Sequence, residues 1–158
     1  MNEVEKKLLS ELMVDSSAFD TWIELSGGID EKVWLDVRHA LIYSAIKGLY
    51  LSGETVNLVT VGGKLDAENR LDSAGGWAYL APIESAEISA AYVHTTAKLV
   101  IDAYLKNRMH LLGDRLSKAA RNGKTPEELA EGMIAECQKV IERGTPDPVS
   151  YTHLTLPT

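Results

Sequence analysis

The chain has one cysteine, Cys137, and one phenylalanine, Phe19, among 158 residues. A lone cysteine excludes a disulfide within the chain and a cysteine zinc cluster. With aromatics at 6%, the core is expected to be aliphatic, filled by Leu, Ile, Val and Ala. No run approaches the ~18 apolar residues of a membrane span. The opening MNEVEKK is charged where a secretory leader would place an apolar stretch. Positive charge is scarce too: 16 Lys and Arg face 23 Asp and Glu, for a net −7. That balance argues against strong, non-specific binding to a phosphate backbone by the chain as a whole. Together these absences point to a cytoplasmic globular protein without a membrane partner, of one domain or one domain plus an appendage.

Catalytic motifs are missing as well. Gly62-Gly63-Lys64 has the look of a phosphate loop, but Leu58 stands where the first glycine belongs and Leu65 where Ser or Thr belongs. His94 and His110 are sixteen residues apart on one helical stretch and cannot share a metal, and no HExxH occurs. His39 and the other histidines read as core or surface residues with ordinary hydrogen bonds. Ser10, Ser44 and Ser85 have no elbow motif around them. The acidic residues, Glu84 and Glu87 or Asp66, Glu68 and Asp72 among them, read as solvated faces. No catalytic residue, cofactor site or metal site is expected in these residues.

What is present is helical periodicity, and the fold class is all-α. Leu8, Leu9, Leu12 and Met13 predict a helix over 3–14. Asp15-Ser16-Ser17 supplies cap candidates for a second over 18–25, burying Phe19, Trp22 and Ile23 or Leu25. A third is predicted over 33–51, with Val37, Leu41, Ile42, Ala45, Ile46, Leu49 and Tyr50 as its apolar face. Asn57 caps a fourth, from Leu58 to about Asn69. The paired glycines inside it cost about 1 kcal/mol each relative to alanine and mark a close contact or a bend. A short helix over 77–85 contains Pro82. These make a small bundle of five to six helices.

The next helix is predicted to run from Ser89 to Asn122, roughly 50 Å, longer than a small bundle can cover. Its first half closes the bundle over residues 1–102, and its second half projects. Thr125-Pro126-Glu127-Glu128 is the strongest local signal in the chain, a capping box with proline at the first helical position. The helix it opens runs to Glu142. Leu105, Met109, Leu112, Leu116 and Ala119 on one arm face Leu129, Met133, Cys137 (or Glu136) and Val140 on the other, so residues 103–143 read as a helical hairpin. Leu111, Ile134 and Ile141 are left over. Since a two-helix unit buries only one stripe and helical stability comes mostly from tertiary packing, this apolar surplus is expected to pair the hairpin with a second copy. Lys106, Arg108, Arg115, Lys118 and Arg121 lie along the projecting half of the long helix. They read as a solvated face, with contact to single-stranded nucleic acid or an acidic partner as the alternative. Residues 144–148 begin a linker. The last ten, VSYTHLTLPT, resemble a translated sequencing adapter and are set aside as non-native, which implies a fragment of a longer protein.

Several segments, in order, carry a family resemblance: LLSELMVD, VWLDVRHALIYSAIKGLYLSGETVNLVTVGGKL, RLDSAGGWAYLA and SAAYVHTTAKLV. The sequence over about Glu3 to Glu142 resembles the N-terminal domain of DnaB-type replicative helicases. Trp34, Val37 and Gly62-Gly63 depart from the family's usual phenylalanine, proline and polar helix formers. The resemblance implies dimers formed through the hairpin, three of them making a collar on a hexameric ring. It also implies docking of primase, and in some systems a helicase loader, in a bacterial or phage-infected cell. The motor it implies is a separate RecA-like domain using ATP and Mg2+ and moving along single-stranded DNA. An enzyme of another class remains as a reading tied to a pocket at His39 or His94.

Overall fold

The computed structural model describes residues 2–84 and 90–142. Regular structure there is seven α-helices and one 3-10 turn, and no strand is present among the described residues. The expected helix end at Ser85, the expected helix start at Ser89, the linker at 144–148 and the tail at 149–158 lie outside them.

Helix α1 (Asn2–Val14) buries its predicted stripe of Leu8, Leu9, Leu12 and Met13. It packs against four other helices and the 3-10 turn, which places it at the centre of the bundle. Helix α2 (Ser16–Ser26) starts at Asp15, whose carboxylate accepts the Ser17 N–H, and stops at Gly27, a left-handed residue at φ 58°. Phe19 and Trp22 face inward, while Ile23 turns out to solvent and leaves the inner position to Leu25.

Helix α3 (Val37–Leu51) begins four residues later than the periodicity predicts. The reason is a set of polar contacts that compete with helix. Asp36 accepts the Arg38 N–H as the cap, the Leu35 N–H goes to Glu5 Oε1, and the Trp34 indole donates to the Asp30 carbonyl. Val33 and Trp34 are buried from an irregular segment, whereas Val37, expected on the apolar face, is 73% exposed.

The scarcity of aromatics also misleads about where they sit. Phe19, Trp22, Trp34 and Tyr43 gather into one buried cluster with ring centroids 5.0–6.4 Å apart, so the core between α2 and α3 is aromatic rather than aliphatic.

Helix α4 (Leu58–Ala67) carries a capping box in which Asn57 and Thr60 satisfy each other's backbone N–H groups. Glu84, at the end of α5 (Trp77–Glu84), accepts the Leu58 N–H at 2.9 Å. It therefore tethers α5 to α4 and is not a solvated charge. After the 3-10 turn Ala90–Tyr92, helix α6 runs unbroken over Val93–Ala119. Val93, Thr96, Ala97, Val100 and Ile101 are buried in the bundle; beyond them Leu112 alone on α6 is fully buried. Helix α7 (Pro126–Glu142) packs on α6. Thr125 Oγ1 accepts the Glu128 N–H and Glu128 returns the favour to the Thr125 N–H, both at 3.2 Å, the capping box in full.

Candidate interaction site on the helical hairpin

The ten residues expected at a dimer interface divide by exposure. Leu112 and Val140 are buried at 3% and 5% within the single chain. Leu105, Leu116, Leu129, Met133 and Cys137 are half-buried, and Leu105 also touches the bundle core. Leu112, Leu116, Leu129 and Met133 line one groove between the arms, so the paired heptad-like seams meet inside one chain. Met109, Ile134 and Ile141 are exposed, the last two at 58% and 68%. Seven residues and about 10 Å apart, Ile134 and Ile141 fall within about 20° of each other around α7, two exposed apolar side chains on one line beside the seam.

The five basic residues do not share a face. At about 100° per residue, Arg108, Arg115 and Lys118 fall within roughly 80° around α6, with exposed Leu111 among them, while Lys106 lies roughly 160° from Arg108. Arg115 lines the groove together with Lys124, Glu128 and Glu136. His110 and Asp114 form an exposed ion pair at 3.6 Å, and Lys139 and Glu136 another at 3.2 Å; pairs of this kind contribute little.

Chemistry elsewhere is enclosed rather than presented. His39 is 0% exposed. Its Nδ1 lies 2.7 Å from Glu5 Oε2, and its Nε2 2.7 Å from the Tyr79 hydroxyl. With the proton on Nδ1, the ring donates to Glu5 and accepts from Tyr79, and all three groups are satisfied. Tyr79 is further covered by Arg38, 4.1 Å above its ring. His94 is exposed on α6. No group of three potential metal ligands forms among the described residues, and no helix there is long and apolar enough to cross a membrane. Nothing local in the sequence singles out the buried Glu5 and Glu11. Their partners lie 34 and 85 positions away, beyond any local pattern.

The comparisons with known proteins fall on one family. The family profile described as the DnaB-like helicase N terminal domain matches residues 1–102. The replicative DNA helicase DnaB of Buchnera aphidicola is 28% identical over 129 residues, 80% of this chain and 27% of that protein. The replicative DNA helicase DnaC of Bacillus subtilis is 29% identical over 139 residues, 88% of this chain and 29% of that protein. The chain thus spans less than a third of these relatives. A solved structure, the N-terminal domain of DnaB helicase from Mycobacterium tuberculosis, superposes with a TM-score of 0.77 at 25% identity, covering 88% of this chain and 96% of that one. The chain belongs to the family of DnaB-like helicase N-terminal domains.

Proposed function

We propose that this chain is a collar domain that pairs with a second copy through its hairpin, three such pairs forming one tier of a hexameric replicative helicase. The bundle extends to residue 102 and the pairing arm covers 103–143. The observation that carries the reading is the pair Ile134 and Ile141, with Met109 on the other arm, apolar and exposed beyond what the hairpin seam consumes. In the same reading the collar is the docking platform for primase or a helicase loader. ATP and Mg2+ belong to a RecA-like motor of the parent protein, which travels on single-stranded DNA in a bacterial or phage-infected cell. Light scattering from the chain over a micromolar range, with and without a replicative primase, tests this. A concentration-dependent dimer that binds primase supports it, and a strict monomer that ignores primase removes it.

A second reading rests on the strip of Arg108, Arg115 and Lys118 around Leu111, which could lie along single-stranded nucleic acid. It predicts salt-sensitive retention of a labelled oligothymidine, lost when all three are changed to alanine. No retention at low salt eliminates it.

A further inference from the structure

Helices α1 and α6 meet through a polar contact set in apolar surroundings. Glu11 is 0% exposed, and its Oε1 lies 3.0 Å from Thr96 Oγ1. Thr96 Oγ1 is also 3.1 Å from the Tyr92 carbonyl oxygen. A threonine hydroxyl has one proton, so it serves Glu11 or Tyr92 but not both. Glu11 Oε2 is buried with no partner.

The charged groups around it do not supply one. Lys7, one turn earlier on α1, acts on Glu11 from a distance and lies 5.4 Å over the Tyr92 ring. On α2, Asp20 and Glu24 are exposed. On α3, His39 is held by Glu5 and Tyr79, and Tyr43 and Lys47 by Asp30. On α5, Tyr79 is bound to His39 and Glu84 to the Leu58 N–H. On α6, His94 and Lys98 are exposed.

We propose that the joint of Glu11 with Thr96 is a pH-sensitive fastening at the root of the hairpin arm, made in full when Glu11 is a neutral acid. The neutral acid completes a chain: Glu11 O–H donates to Thr96 Oγ1, and the Thr96 O–H donates to the Tyr92 carbonyl. An ionised Glu11 takes Thr96's single proton, and its second oxygen, without a partner in either state, then carries buried charge, which costs more than a neutral carbonyl oxygen. Burial holds the Glu11 pKa above its ordinary value of 4.5, outweighing the lowering by Thr96 and Lys7. For an acid whose folded pKa is raised, the stabilisation is complete below the unfolded value near 4.5 and fades as pH climbs through the folded one. Thr96 and the pairing arm belong to the same continuous helix, so loosening this joint loosens the seat of the arm.

The test compares the full chain with Glu11→Gln, which keeps the shape and a donor to Thr96 without a charge, from pH 4.5 to 8.5. The melting temperatures are expected to run together near pH 4.5. They then separate in favour of the variant, by roughly 4 °C or more at the alkaline end. Amides of 93–101, corrected for intrinsic exchange, should lose protection with rising pH in the wild type alone. An offset that does not change with pH, or a variant that weakens as pH rises, overturns the proposal. Should the variant fail to fold, the wild-type Glu11 carboxyl decides by 13C titration: a midpoint above 4.5 upholds the proposal, and one at or below 4.5 refutes it.

Discussion

The Trp77 indole lies on the bare backbone of Gly62: a Cβ at that position would stand 2.2 Å from two carbons of the ring. This accounts for a glycine in the middle of α4, where the helix gives up about 1 kcal/mol relative to alanine. Its neighbour Gly63 has nothing within 4 Å. Two adjacent glycines in one helix therefore have opposite expectations. Gly62→Ala should destabilise by about 1–2 kcal/mol, because the half-exposed ring must tilt away. Gly63→Ala should stabilise by about 0.5–1 kcal/mol. Chemical denaturation of both variants checks the pair, and equal effects of one sign would refute the contact.

The buried Glu5–His39–Tyr79 chain ties α1, α3 and α5 together by polar contacts, and its Tyr79 also packs against the apolar core. Removing its middle strands a carboxylate with only the Leu35 N–H to answer it. His39→Ala is expected to lower stability by about 3 kcal/mol or more. Tyr79→Phe keeps the ring under Arg38 and loses one hydrogen bond, about 1 kcal/mol. A double-mutant cycle should give strong coupling between positions 5 and 39, and additive effects there would contradict the account.

Asp36 contributes to the acid limb. Its hydrogen bonds from the Arg38 side chain hold its carboxyl down to about 2, from an ordinary 3.8. A lowered folded pKa gives stability that is present above the unfolded value and disappears as pH falls from about 4 towards 2. Asp36→Asn keeps an acceptor for the Arg38 N–H but no charge, so its stability profile should be flatter than wild type below pH 4. Asp36→Ala also loses the cap and should cost about 1 kcal/mol at neutral pH. Melting curves between pH 2 and 7 separate the two effects.

Much of this fold is legible where local chemistry decides. Asp15, Asn57 and Thr125 each mark a helix start, because an N-cap is settled within three residues. The α3 start is not legible because periodicity alone carries the helix back to Val33. The backbone there is instead held by Glu5, thirty residues earlier. The hairpin seam is visible as alternating three- and four-residue spacing. The same spacing sets Leu112 against Val140 inside one chain and leaves Ile134 and Ile141 over, and their exposures follow that division. Glu5, Glu11 and His39 gain their meaning only when distant helices meet, and composition gives no hint of it.

That division also selects the variant for testing assembly. Leu112→Asp places a charge in a buried seam and should unravel the hairpin itself, seen as lost helicity. It therefore says little about pairing.

The most direct measurement is sedimentation velocity of the wild-type chain beside the double variant Ile134→Asp, Ile141→Asp, at matched micromolar concentrations with far-UV circular dichroism on each. The account predicts a wild-type dimer and a variant monomer of unchanged helicity. A wild-type monomer, or a variant that still sediments as a dimer, would contradict it.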